Sequence, residues 1–210
     1  MPRDARRLQV LEIALDLFAR DGYHHVSMDD IADRAEVSKP VLYRHFPSKL
    51  DLYLAVVDHR GEALVAAVDE ALDRVGARPL ASGQAIVEEI AEAIVGAYVR
   101  FVTESGDSFA LLFESDVTHD DAVRDRVEHA SRQVALSLAR GLQRPTGLGE
   151  AEADLVATVL LSMASATATS TYRSGTVPVE VAIGLIGRLV WGGVNGLMRT
   201  RPSADGAGGP

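Results

Sequence analysis

The residues with most chemistry to offer lie in one run, Ser38-Lys39-Pro40-Val41-Leu42-Tyr43-Arg44-His45-Phe46, closed by Pro47-Ser48-Lys49. It holds Lys39 and Lys49, the only two lysines among 210 residues. Each lysine follows a serine suited to cap a helix, which puts the cation at the partly positive end of the helix dipole. A cation there does not serve its own helix. It points to an external anion, of which a DNA phosphate is the obvious case. On a helical wheel Leu42 and Phe46, four apart, turn inward. Pro40, Val41 and Arg44 then face outward, with Lys39 and Tyr43 on one shoulder and His45 on the other. Arg44 suits the O6 and N7 of guanine, and Val41 suits a thymine methyl. Tyr43, His45, Lys49 and the Ser27 hydroxyl suit phosphates, and Arg3, Arg6 and Arg7 add an electrostatic clamp. Pro40 is tolerated because no backbone N–H is needed in a first helical turn. His45 has no nucleophile or carboxylate at a telling spacing, so no catalytic residue is assigned and the chain is not read as an enzyme.

The elements that must position these side chains are helical. A first helix runs from about Asp4 to Arg20 on the stripe Leu8, Leu11, Leu15 and Phe18, and Asp21-Gly22 ends it. Ser27 caps a short helix from Met28 to Ala35, with Asp30 as a box-like partner and Met28, Ile31 and Ala35 inward. Ser38 caps the third helix, and the two short helices form a helix-turn-helix candidate. Ser48-Lys49-Leu50-Asp51 opens a long helix to about Val75. After a loop near 76–83, further helices are expected near 84–104, 107–117, 120–143, 151–172 and 178–199. A Gly/Ala/Pro-rich tail over 202–210 is expected to be disordered. No strand pattern appears.

The net charge of −9 argues against nucleic acid only until the chain is divided. Residues 1–50 carry eight basic and eight acidic side chains, and the whole deficit lies beyond them. A local patch is what counts for DNA. The absence of cysteine excludes disulfides and thiolate metal sites and is compatible with a cytoplasmic setting. No signal peptide is expected, since the N-terminal stretch is amphipathic.

At these residues the chain resembles the TetR family of bacterial transcriptional regulators. The resemblance lies in Ser27-Met28-Asp29-Asp30-Ile31-Ala32, in Ala35-Glu36-Val37 with Ser38 to Phe46, and in Ser48-Lys49-Leu50-Asp51-Leu52. It covers about residues 5–55. It implies an all-α, nine-helix subunit acting as a homodimer, with a helix-turn-helix domain over 1–48 and a ligand-binding and dimerisation domain over 49–201. It also implies phosphate contacts from Ser27, Tyr43, His45 and Lys49 and base contacts from Lys39, Pro40 and Arg44, with Ser38 in the same DNA-binding set. The function implied is a ligand-responsive, sequence-specific regulator, taken as a repressor that a small molecule releases from a palindromic operator. A transcriptional activator and a helical small-molecule-binding protein are the alternatives. Where the family often has glycine in the turn, this chain has Glu36; a left-handed backbone there costs about 1–2 kcal/mol.

Beyond residue 55 the residues say less. The helix at 178–199 is apolar almost all round, but Glu180 and Arg188 leave pieces too short to span a bilayer, so no membrane partner is expected. With the small-residue helix before it, this helix is read as half of a four-helix dimer interface, through Ala164, Ala168, Ile186, Val190, Gly193 and Leu197. Tyr98, Phe101, Phe109, Phe113, Glu114, Met163 and Thr167 are the candidates to line an effector pocket. A metal site from Glu114, Asp116, His119 and His129 is set aside because their spacing is unspecific, so no metal or cofactor is assigned.

Overall fold

A computed structural model describes residues 3–77, 83–106 and 120–199, with the side chains of 3, 83–88, 144, 145, 191 and 193–199 outside the description. Those residues form eight α-helices: α1 Arg3–Asp21, α2 Met28–Arg34, α3 Lys39–His45, α4 Lys49–Gly76, α5 Gly83–Ser105, α6 Asp121–Thr146, α7 Glu150–Ser174 and α8 Val179–Arg199. A single 3-10 turn, Tyr23–His25, links α1 to α2. The described chain is thus all-α. The ninth helix expected at 107–117 and the tail at 202–210 lie outside the described residues.

Local sequence sets most of the helix ends. α6 continues through Pro145 and stops at Gly147, whose positive φ of 65° lets its N–H reach the Gln143 carbonyl at 2.8 Å. The sequence suggests an end near residue 143. Pro145 does not impose one, because its predecessors are already wound and a proline near a helix C-terminus disturbs little beyond it. α3 is short for a different reason. Phe46 precedes Pro47, which disfavours the helical region, and its backbone is extended at φ −139°, ψ 100°.

The chain divides into two compact units, Met1–Ala67 with Phe101–Val134, and Val68–Arg100 with Ala135–Pro210. The expected boundary at 48/49 falls inside the first unit, because the core beneath the helix-turn-helix includes the start of α4. That core joins Val10, Leu11, Ala14, Leu15 and Phe18 to Ile31, Leu42 and Phe46, and to Leu52, Tyr53, Val56 and Val57 of α4. Leu8, expected to lead the buried stripe of α1, is 48% exposed instead. Gly61 of α4 lies against Ala130 of α6, where an added Cβ would stand 2.8 Å from the alanine methyl.

In the second unit α7 and α8 pack on each other. α7 buries Ala153, Ala157, Leu160, Ala164, Ala168 and Thr171, one continuous stripe at helical spacing. α7 is long and apolar enough to cross a membrane by length and composition, with that stripe occupied inside the unit. Of the residues expected at a dimer face, Ala164, Ala168 and Val190 are buried in the unit's own interior and Ile186 is half-buried. The helices present other apolar residues to solvent: Leu155 and Val159 on α7, and Val181, Leu185 and Leu189 on α8. The side chains of Gly193 and Leu197 lie outside the described residues.

Candidate nucleic-acid interface

The turn between α2 and α3 is built by backbone hydrogen bonds at the end of α2. Val37 donates to the Ala32 carbonyl at 3.0 Å and Glu36 to the Asp33 carbonyl at 3.2 Å. These are the paired bonds of a Schellman ending, which requires a left-handed residue between the helix and Val37. Glu36 takes that position with φ 53°, the one described non-glycine residue at positive φ. The substitution of glutamate for glycine therefore preserves the turn at the cost of backbone strain.

α3 meets the core through Leu42, which is fully buried, and Phe46 just past its end. Lys39, Pro40, Tyr43 and Arg44 are exposed on the opposite arc, with Val41 and His45 half-exposed beside them. Six of the side chains read as DNA-facing thus share one solvent face, and Ser38, also exposed, stands at the N-cap of α3 without a side-chain capping bond.

The remaining contacts sharpen individual roles. Lys39 Nζ lies 2.7 Å from Asp29 Oδ2 of α2, an ion pair more than half exposed on both sides. Asp29 raises the Lys39 pKa by hydrogen bonding and charge, so the cation is held across the turn rather than free. Ser27 is committed as well. Its hydroxyl accepts from Asp30 N at 3.1 Å and donates to Asp30 Oδ2 at 2.6 Å, while Ser27 N donates to the same carboxylate oxygen at 2.8 Å. A phosphate must therefore compete with Asp30 for the Ser27 proton. These bonds hold the Asp30 carboxyl below its ordinary pKa.

Lys49 departs furthest from expectation. Its ammonium donates to the carbonyls of Tyr23 and Val26, each at 2.9 Å, and lies 4.3 Å from the centroid of the Tyr23 ring. Tyr23 in turn joins Phe18 and Tyr53 in a cluster with centroids 5.0–5.7 Å apart. Lys49 clamps the α1–α2 connection to the start of α4, with at most one of its three donors left for a phosphate. Of the N-terminal arginines, Arg7 stacks over Phe46 at 5.1 Å and Arg6 donates to Gln9 at 2.8 Å; the Arg3 side chain lies outside the described residues.

Four of the seven residues read as an effector pocket are among the described residues. Tyr98 is buried in the second unit, where burial pushes its hydroxyl up to about 12 against a hydrogen bond with Ser165. Met163 packs on the neighbouring core, and Thr167 lines an open groove of about 350 Å³ between α7 and α8 with Leu185 and Ile186. Phe101 belongs to the first unit, beneath the Arg60 guanidinium at 4.5 Å. Phe109, Phe113, Glu114, Asp116 and His119 lie outside the described residues, and His129 is exposed.

A buried scaffold, a Schellman turn and a short helix with its polar arc in solvent define a helix-turn-helix DNA-binding protein. Comparison with known proteins places it further. Residues 10–56 match the model of bacterial regulatory proteins of the tetR family. The HTH-type transcriptional activator FasR of Mycolicibacterium smegmatis is 33% identical over 203 residues, 96% of this chain and 88% of FasR. The DNA-binding transcriptional repressor TetR of Mycobacteroides abscessus is 29% identical over 188 residues, 89% of this chain and 90% of its own. A crystal structure of a TetR-like regulator from Rhodococcus sp. RHA1 superposes with TM-score 0.63 at 28% identity, covering 93% of this chain and 99% of that one. The chain belongs to the TetR family of bacterial transcriptional regulators.

Proposed function

We propose that this regulator binds its operator as a homodimer, with α3 of each subunit in the major groove and a small-molecule effector controlling the bound state. The carrying observation is the exposed arc of Lys39, Pro40, Tyr43 and Arg44 on a helix anchored from behind by Leu42 and Phe46. Arg44 and Val41 address base edges, Tyr43 and His45 the flanking phosphates, and Lys39 shares its charge between Asp29 and DNA. Ser27, Ser38 and Lys49 bind at the margin of this face, Lys49 through its remaining donor. The solvent-facing apolar residues of α7 and α8 form the subunit contact rather than a bilayer contact, and the two reading helices then meet successive major grooves about 34–36 Å apart on a palindromic site. The setting is the cytoplasm.

Regulation follows from differential affinity: an effector releases the operator only as far as it prefers the conformation that cannot bind it. Repression by occupying a promoter is the direct consequence of such binding. Activation is the second reading, favoured by the similarity along nearly the whole chain to a protein named an activator. Binding to the DNA upstream of its own gene, followed by fluorescence anisotropy and footprinting, tests the proposal. Arg44→Ala should lose about 1–3 kcal/mol at particular base pairs while leaving unrelated DNA little affected. A loss equal on all sequences would remove Arg44 from the base readers. A footprint over the core promoter indicates repression, and one upstream of it indicates activation.

A further inference from the structure

In the first unit, Arg60 of α4 extends to the C-terminal end of α5. Its Nη2 donates to Ser105 Oγ, Ser105 Oγ donates to the Phe101 carbonyl, and the guanidinium carbon lies over the Phe101 ring. Its Nε is fully buried and has no hydrogen-bond partner among the described residues. Nε and Nη2 form one edge of the guanidinium, the fork that holds a carboxylate or phosphate bidentately. Here that edge has one neutral hydroxyl and one orphaned N–H. Among the described residues the guanidinium is in contact with a ring face, a hydroxyl and the end of a helix, each weaker than a counter-anion. Glu12 acts on it through space, but Glu12 Oε1 is engaged by His59 Nε2 at 2.8 Å. An orphaned buried donor on a permanent cation is costly unless something fills it.

We infer that the Nε–Nη2 edge of Arg60 is an anion-binding site, and that the effector carries a carboxylate or a phosphate monoester that displaces Ser105 from it. Phe101 lies against the guanidinium face, so an anion must approach in the guanidinium plane, where Ser105 now sits. The inference rests on the ligand-responsive reading above and gives it chemistry. It also gives a mechanical route inside one unit, because Arg60 lies about three turns along α4 from Lys49, whose ammonium ties α4 to the α1–α2 connection. An anion drawn to Arg60 acts on the helix that supports the reading face.

The test is calorimetric titration of the full chain with hexanoate, hexyl phosphate and the uncharged hexanol, with anisotropy on operator DNA in parallel. One or both anions should bind and hexanol should not; the stronger of the two identifies the head group. Arg60→Met should weaken anion binding at least about thirtyfold, the effect of removing one member of a buried charge pair. Ser105→Ala retains the cation and removes its competitor, so it should bind the same anion more tightly, which keeps the test decisive if Arg60→Met is poorly folded. Equal binding by hexanol, unchanged affinity in a folded Arg60→Met, or weaker binding in Ser105→Ala overturns the site. Anion binding that depends on Arg60 but leaves operator affinity unchanged upholds the site and instead defeats the ligand-responsive reading.

Discussion

Replacing Lys49 with methionine separates two roles that the sequence merges. The substitution keeps an unbranched apolar stem against Tyr23 and removes the ammonium. Lost with it are two charge-assisted bonds to the carbonyls of Tyr23 and Val26, both 2.9 Å long, and a cation lying 4.3 Å from the ring centroid. A hydrogen bond to a charged group contributes about 1.5–3 kcal/mol, and an exposed cation–π contact about 0.5–1 kcal/mol. The two carbonyls share one ammonium and regain some water, so the terms do not add fully. A total near 2–3 kcal/mol is expected. At about 4–8 °C per kcal/mol for a domain of this size, the first unit should melt roughly 10–20 °C lower. Hydrogen exchange should rise first in the 3-10 turn and at the start of α4. DNA affinity, measured well below the new melting point, should fall on all sequences, and the salt slope should flatten by about one per lost phosphate contact. A variant that melts like the parent yet loses DNA affinity would refute the clamp and return Lys49 to a purely phosphate-binding role.

Glu36→Gly should stabilise the chain by about 1 kcal/mol in urea denaturation, since a left-handed backbone strains any residue with a Cβ; Glu36→Ala should give no such gain, and an equal gain would mean that charge is the cause. The depressed Asp30 pKa means that its capping contribution is complete above the ordinary carboxylate pKa and is lost as pH falls through the lowered folded value. Melting of Asp30→Asn should accordingly lack that acid-side decline, and parallel curves for variant and parent would exclude the capping box as its source. Asp29→Asn should release Lys39 and raise affinity for all DNA alike in anisotropy; a fall would show that Asp29 positions the lysine. Leu185→Glu with Leu189→Glu should give monomers in sedimentation, and a retained dimer would rule out the exposed α8 face.

The exposed arc of α3 was legible from residue type and spacing because its geometry is local. Leu42 and Phe46 lie four residues apart on one helix, so burying them fixes where Pro40 and Arg44 point. Glu36 was legible for the same reason: the Schellman ending of α2 involves only neighbouring backbone. The solvent-facing side of α7 was not. The small residues of α7 fit equally well against α8 inside one subunit or against a second subunit, and spacing does not distinguish them. Ala164 and Ala168 go inward because that face meets the unit's own core, which leaves Leu155 and Val159 outside. Arg60 gave no local signal either, since its partners stand more than forty residues away on α5.

The sequence by itself determined the helix-turn-helix, its caps and its outward arc, since these follow from side-chain periodicity and backbone preference within a few residues. Only the tertiary structure decided which acceptors the polar groups hold within the subunit. Lys49 binds carbonyls 26 and 23 residues earlier, Lys39 pairs with Asp29, and Arg60 reaches α5 with one donor unmet. A long flexible cation can satisfy its charge anywhere within reach, and only folding brings a particular acceptor there.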